Sequence, residues 1–423
     1  MISIHDPIHG TIEVSRPEIK LIDSRAFQRL RTIKQLGFAD LAFPGATHSR
    51  YAHSLGAMQM ATRMVDRVLP PLGLPEADLA RLRQTVRLAV LFHDLGHPPL
   101  SHVSERVMPQ VKHLQLGAWL DPTEDPERQA THEDYTLKLL LDSELTQLID
   151  RHVGDVGVTG AHLAALVSGR LGPLPASTFQ VGSLQLLPLL SQIVSSEMDA
   201  DRMDYLRRDA YCCGVSYGNF DHLWLTANLV AVPFESSLVL ALQHKAVWAF
   251  ENFLLARYHM FLAVYYHHTP ICFDYLLGKF YDTGAYVLPA DSDAYQDTDD
   301  IHLITALRAS KCSWARSVVR RRPYRLLLET HDYTTDPDHQ GLVERLEAAK
   351  VEHFCVQSKG ILSKYFTKRQ KGFPLLMVEP EKGRTRRIEE YTPLYRRFAD
   401  FVGVSRIYCL PDHIERGRGL LTP

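Results

Sequence analysis

The chain has 423 residues and a formal charge of −2, enough for two or three packing units and without the overall basic field that non-specific nucleic-acid binding uses. No stretch approaches the roughly 18 apolar residues of a membrane span, and MISIHDPIHG has no charged region leading into an apolar run. The six cysteines (Cys212, Cys213, Cys272, Cys312, Cys355, Cys409) form no CxxC pair, so zinc knuckles and redox motifs drop out and a reducing cytoplasm is expected.

Residues 1–290 read as mostly helical. Pro17 opens a helix expected to run through Leu30, with Gly37 beyond its end. A second is expected from Ser54 to Leu69, stopped by Pro70 and Pro71. Leu82–Leu95 is apolar around most of its circumference and is predicted to be a buried central helix ended by Gly96 and Pro98-Pro99. Further helices are predicted over 132–150, 161–169, 184–209 and 243–268. The run ADSDAYQDTDD (290–300) is acidic and lacks large aliphatic residues, so residues 291–300 are expected to be a solvated linker or loop. Residues 301–423 mix a helical pattern over 301–319 with β-prone runs at Tyr324–Leu328 and Pro374–Val378. The expectation is a mainly α fold: a helical bundle with a smaller α+β C-terminal region.

Among 21 histidines, His-Asp pairs stand at 5–6, 93–94 and 331–332, so the pair alone carries no information. Context singles out His93-Asp94, at the end of the apolar helix and followed by LGHPP. Ionisable groups at such a place are costly unless compensated, and a divalent cation compensates both. His53 in SRYAHSLG supplies another ligand. EMDADRMDYLRRD supplies Asp199, Asp201, Asp204 and Asp209, of which Asp201 and Asp204 share a helix face with Arg208 one turn on. One Asp joining His53, His93 and Asp94 makes a nitrogen–oxygen set suited to Mn²⁺, Fe²⁺, Zn²⁺ or Mg²⁺. Taken singly, each element also has a structural reading: a capping His53, a satisfied core pair, a solvated acidic face.

The runs DPIHGTIEV, DSRAFQRLRTIKQLG, FPGATHSRYAHSLG, FHDLGHPPLSH, THE and DADRMDYLRRD, with the segment Arg257 to His267, closely resemble the HD-domain deoxynucleoside triphosphate triphosphohydrolases. The likeness lies in the members that join a sterile-alpha-motif domain to an HD domain and in their bacterial relatives. It covers roughly residues 5–270 in the family's order and is weak in the C-terminal third. The resemblance implies His53, His93, Asp94 and Asp201 as metal ligands, His102 as a catalytic histidine near the α-phosphate, and His132 with Glu133 as its supporting pair. Arg50, Tyr205, Asp209, Arg257 and Tyr265 match residues that hold phosphates, base or sugar, and Gln35 and Leu36 match the part of the pocket facing the sugar. Arg202 stands where a lysine holds the phosphates, which keeps the charge and changes the hydrogen-bond geometry. The HDLGH pattern sets His97 near the site, as a substrate contact or as support for the metal. Asp23, Gln28 and Arg31 match part of a site for an activating nucleotide, whereas Ile2 stands in place of its lysine. His5, His9, His48, His267 and His268 read as structural, and Arg320–Arg322 with Arg325 as a solvated basic face or a nucleotide contact between subunits.

The function that the resemblance implies is water attack at the α-phosphorus of a nucleoside triphosphate, giving nucleoside and inorganic triphosphate, in a homo-oligomer of two or four copies. Arg50, Arg202 and Arg257 would offset the triphosphate charge, and His102 would protonate the leaving 5′-oxygen. Two alternatives stand beside it. One is an HD-type phosphodiesterase or broader nucleotide hydrolase in which His102 and His132 hold a second ion. The other is a catalytically silent nucleotide sensor. Walker-type glycine loops, GxSxG and HExxH are missing from the sequence.

Overall fold

The computed structural model describes residues 1–331, 339–361, 373–394 and 401–421. Helices dominate, and one continuous apolar core runs from Ile12 in the N-terminal hairpin to Tyr408 near the C-terminus. The fold is mainly α with an α+β C-terminal region. At its centre the helix Glu76–Phe92 packs against Arg50–Val68 and Gly160–Ser168. Leu88 to Phe92 have no solvent exposure, as an apolar circumference requires.

Several predicted helices are split where a polar side chain caps a new start. The helix opened by Pro17 ends at Ile22, because Ser24 accepts from the Phe27 N–H and begins Arg25–Gln28. The 132–150 stretch is two helices, His132–Leu141 and Glu144–Val153, the second capped by Ser143. The 184–209 stretch becomes Leu187–Val194 and Ala200–Cys213, with Asp199 capping the second through the Arg202 N–H. The 243–268 stretch is Val247–Met260 followed by one π-turn, Phe261–Tyr265, before His268–Tyr281.

The acidic run departs most from expectation. It contains the helix Ser292–Gln296, and Tyr295 is fully buried, stacked on Tyr135 at 3.9 Å with its hydroxyl donating to the Gly96 carbonyl at 2.6 Å. Asp300 is buried too. Its carboxylate accepts from the Leu100 N–H at 2.7 Å and the Lys34 N–H at 3.0 Å. Composition suggested a solvated linker because the acids outnumber the single aromatic that anchors the run.

An antiparallel hairpin pairs Ile2–Asp6 with Gly10–Val14, Ile2 opposite Val14. In the C-terminal half, Phe401–Cys409 lies between Arg325–His331 and His353–Ile361, antiparallel to both. A four-stranded sheet orders Arg384–Arg387, Leu376–Glu379, Ser237–Gln243 and Leu229–Phe234. Its middle pair is parallel, so a C-terminal strand completes a sheet begun before the helix Val247–Met260. The 301–319 pattern resolves into Asp300–Ala309 and Ser313–Val319. Among the described residues no helix is long and apolar enough to cross a membrane.

Candidate metal and phosphate site

Two close approaches build the site. Gly56 lets Arg50–Val68 lie against Ala200–Cys213, for a Cβ there would sit 2.1 Å from Asp204 Oδ1 and 2.2 Å from Arg208 Nη2. Gly96 does the same for the turn after the central helix, where a Cβ would sit 2.0 Å from the His132 carbonyl oxygen. A side chain at Gly96 would meet backbone and push its two elements apart, and one at Gly56 would displace the Asp204–Arg208 pair.

His53, His93 and Asp94 bring ligand atoms together within 4.8 Å. Asp201 joins them: its Oδ1 is 3.0 Å from His53 Nε2 and 3.5 Å from His93 Nε2. His93 is the C-cap of its helix and Asp94 lies in the turn beyond, so the pair sits at the helix mouth and not within it. The His93 ring is fixed by an Nδ1–H donated to the Val90 carbonyl at 2.6 Å. His53 is fixed by Asp204, 2.7 Å from its Nδ1, and Asp204 is in turn held by His9 at 2.6 Å and by both ends of the Arg208 guanidinium at 2.9 Å. Both imidazoles are thus oriented with Nε2 toward the cluster, where neither buried Nε2 makes a well-aligned hydrogen bond although Asp201 Oδ1 lies 3.0 Å from that of His53. Such buried nitrogens beside two carboxylates fit a cation as ligand.

The charges agree. Burial disfavours a protonated His53 ring, yet the Asp201 and Asp204 carboxylates outweigh it and raise the imidazole to about 10. Burial would push the Asp94 carboxyl up, but Arg50, His93 and His97 hold it well below the usual carboxylate range. Asp201 is likewise held low by His53 and His93 against its burial. The cluster keeps its carboxylates ionised and demands positive charge between them.

A second group, His97, His102, Glu105 and His132, also has ligand atoms within 4.8 Å. His97 joins the two groups. It is buried, its Nε2 lies 3.3 Å from Asp94 Oδ1, and its ring stacks on His132 at 3.9 Å. Burial, Arg50 and His132 keep it neutral, far below the ordinary imidazole range, as suits support of a ligand. His102 is the open member, with its side chain 66% exposed and Nδ1 3.2 Å from Glu105 Oε1. The same oxygen bonds His132 Nδ1. Glu133 corrects the expected pairing: it is exposed and outside both groups, and Glu105 is the carboxylate between the two histidines. Glu105 lies three residues after His102, the spacing that could have revealed it. The turn before His102 carries left-handed backbone at Leu100 (φ 55°) and Ser101 (φ 65°), held by Asp300. Strain of this kind persists only where its surroundings impose it.

The groups expected to meet substrate lie as follows. Arg50 is buried and bonded to Asp94 Oδ2 at 2.5 Å and to Ser101 at 2.9 Å. Arg202 and Arg257 are buried beside Glu197. Tyr205 lies near both and is pushed up to about 12 by its burial despite them. Tyr265 donates to Asp209 Oδ2 at 2.9 Å, and His48 bonds the other oxygen at 2.8 Å. Gln35 is buried with its Oε1 unpartnered, on a segment paired with Ser49 and His48. Leu36 packs against the core beside it. Farther off, Gln28 and Arg31 bond each other at 2.6 Å.

A model of the HD domain matches residues 50–209, and one of the HD associated region matches residues 221–357. Every proposed metal ligand falls in the first. The chain carries an HD domain followed by an HD associated region. It is 36% identical over 276 residues to "Uncharacterized protein YwfO" of Bacillus subtilis, covering 65% of this chain and 54% of that one. To human "Deoxynucleoside triphosphate triphosphohydrolase SAMHD1" it is 27% identical over 365 residues, 81% of this chain and 53% of that one. The chain spans about half the length of the curated relatives it matches. A crystal structure of a hypothetical protein from Aquifex aeolicus superposes with a TM-score of 0.73 at 27% identity and covers both chains completely.

Within this HD-domain chain, sequence reasoning missed Glu105, Glu197 and Asp300, and it read His9 and His48 as structural without their partners, Asp204 and Asp209. Four act through another residue rather than on the cluster itself, and only Glu105 had a spacing that could have marked it.

Proposed function

We propose that this HD-domain protein hydrolyses nucleoside or deoxynucleoside triphosphates to nucleoside and inorganic triphosphate. The observation that carries the reading is the adjacency of three things: a His/Asp quartet, a buried arginine pair beside it, and one exposed histidine on the rim. His53, His93, Asp94 and Asp201 would hold a divalent ion, Mn²⁺, Mg²⁺, Fe²⁺ or Zn²⁺. When bound, such an ion supplies Lewis-acid activation of a phosphoryl oxygen and of water. Arg202 and Arg257 take the phosphate tail. Asp209, held from both sides by Tyr265 and His48, accepts from the sugar hydroxyl, and Gln35 and Leu36 close the sugar side.

The bond that forms joins a water oxygen to the α-phosphorus; the bond that breaks is from phosphorus to O5′. The leaving oxygen needs a proton. His102 can deliver it, since Glu105 holds Nδ1 and leaves Nε2 for the substrate. Burial works against an ionised Glu105, but His102 and His132 hold its carboxyl far below the usual range, so it stays an acceptor that orients both rings. The relatives named deoxynucleoside triphosphate triphosphohydrolases support the substrate class. A cytoplasmic homo-oligomer, of two or four copies, completes the reading.

The four-ligand second group favours one alternative, a two-ion nucleotide phosphodiesterase. A panel of nucleotides with Mn²⁺ or Mg²⁺, products resolved by chromatography, separates the two. Nucleoside plus triphosphate is the expected result, whereas nucleoside monophosphate would replace the first reading with the second. Added GTP or dATP in the same panel tests for an effector.

A further inference from the structure

We infer that Glu197 is an internal anion that the incoming phosphate tail must displace, and so a residue that sets which phosphate esters the pocket accepts. Glu197 lies in the turn before the helix Ala200–Cys213 and is only 6% exposed. One carboxylate oxygen accepts from Arg257 Nη1 at 2.9 Å, and the other is 3.5 Å from Arg202 Nη1. Both arginines are at least 95% buried. Each has a buried donor outside hydrogen-bond geometry: Arg257 Nε, and Arg202 Nη1, the atom that faces Glu197 at 3.5 Å without bonding it. Two buried guanidiniums bridged by one carboxylate, with donors to spare, form a half-filled anion site.

Removing Glu197 would free Arg257 from its carboxylate and leave Arg202 facing Asp199 alone of its two ion-pair partners, 3.7 Å from its Nε. With it in place, a phosphate oxygen approaching either arginine meets a tethered carboxylate already there. A ligand of low charge cannot outcompete it. A tripolyphosphate tail carries roughly four charges, can take both arginines at once and uses the two open donors. Discrimination then comes from repulsion of the wrong ligand as much as from attraction of the right one.

The inference rests on the triphosphate reading for the identity of the ligand, but its test does not need turnover. Binding of inorganic tripolyphosphate, pyrophosphate and orthophosphate to the full chain is measured by calorimetry for wild type, Glu197→Gln and Glu197→Asp. The Gln variant should bind pyrophosphate and orthophosphate about tenfold more tightly and gain less for tripolyphosphate, which narrows the selectivity. The Asp variant, which keeps the charge, should stay within about threefold of wild type. Equal tightening by Gln and Asp, or none by Gln, overturns the inference. If the Gln variant does not fold, wild type and Asp decide: selectivity for tripolyphosphate over pyrophosphate must be steep in both, and near-equal binding refutes it. Hydrolysis assayed in parallel keeps the questions apart. A protein that narrows its selectivity without releasing triphosphate retains the Glu197 role and loses the proposed reaction; the converse loses only Glu197.

Discussion

The two histidine clusters share a short stretch of chain yet are built differently. His53 is fully buried and braced through Asp204 by His9 and Arg208. His102, on the other cluster, is mostly exposed and hydrogen-bonded to Glu105. The braced cluster is set before any ligand arrives, as a metal site requires. The open one leaves room for a substrate to complete it, as a proton donor to a leaving group requires. On the proposed reading the same residue types serve different ends: His53 and Asp201 lie on two packed helices, whereas His102 and Glu105 lie on the short 3-10 helix Ser101–Val107, whose start is held by Asp300.

Removing a corner of the braced cluster should have the largest effect. Asp201→Ala is expected to abolish hydrolysis and strip bound metal, counted by elemental mass spectrometry, with the helical circular dichroism retained. A variant that kept its metal would break the comparison. Next is His102→Ala, expected to lower kcat about 10²–10⁴-fold with metal content unchanged. Loss of metal from that variant would merge the two clusters into one two-ion site. Asp204→Asn leaves all four ligands but loosens the brace on His53, and metal affinity should fall about 10–100-fold in a chelator titration.

The smallest expected effect concerns stability. Burial disfavours a charged His48, but its bond to Asp209 raises the imidazole to about 9 from the ordinary 6.5. A folded-state value above the unfolded one means the stabilisation is complete below pH 6.5 and is lost as pH rises through about 9. His48→Gln should therefore cost on the order of 2 kcal/mol at pH 6 and nearly nothing at pH 10, read from denaturant unfolding at both values. A cost independent of pH would mean that the His48–Asp209 pair carries no charge.

Much of the site was legible because its ligands are chemically unusual where they stand. His93-Asp94 after five apolar residues, and Asp201 in a run of spaced acids, violate the local pattern. The supporting residues broke no pattern. His9 sits in a hairpin 195 positions from the carboxylate it bonds, and Asp300 lies 200 positions from the turn it pins. The sequence points to Glu133 rather than Glu105 because Glu133 neighbours His132 in the chain. Helix geometry turns adjacent side chains roughly 100° apart and leaves Glu133 facing solvent.

Sequence alone determined most of the long helical segments, though not the helix Ser292–Gln296, and which side chains were too costly to bury without a counter-charge, since both depend on local pattern and burial cost. Where helices break was also local, set by Ser24, Ser143 and Asp199, yet the apolar periodicity concealed it. Only the tertiary structure decided which carboxylate faces which imidazole. That choice depends on two close approaches, at Gly56 and Gly96, that bring distant helices within bonding reach.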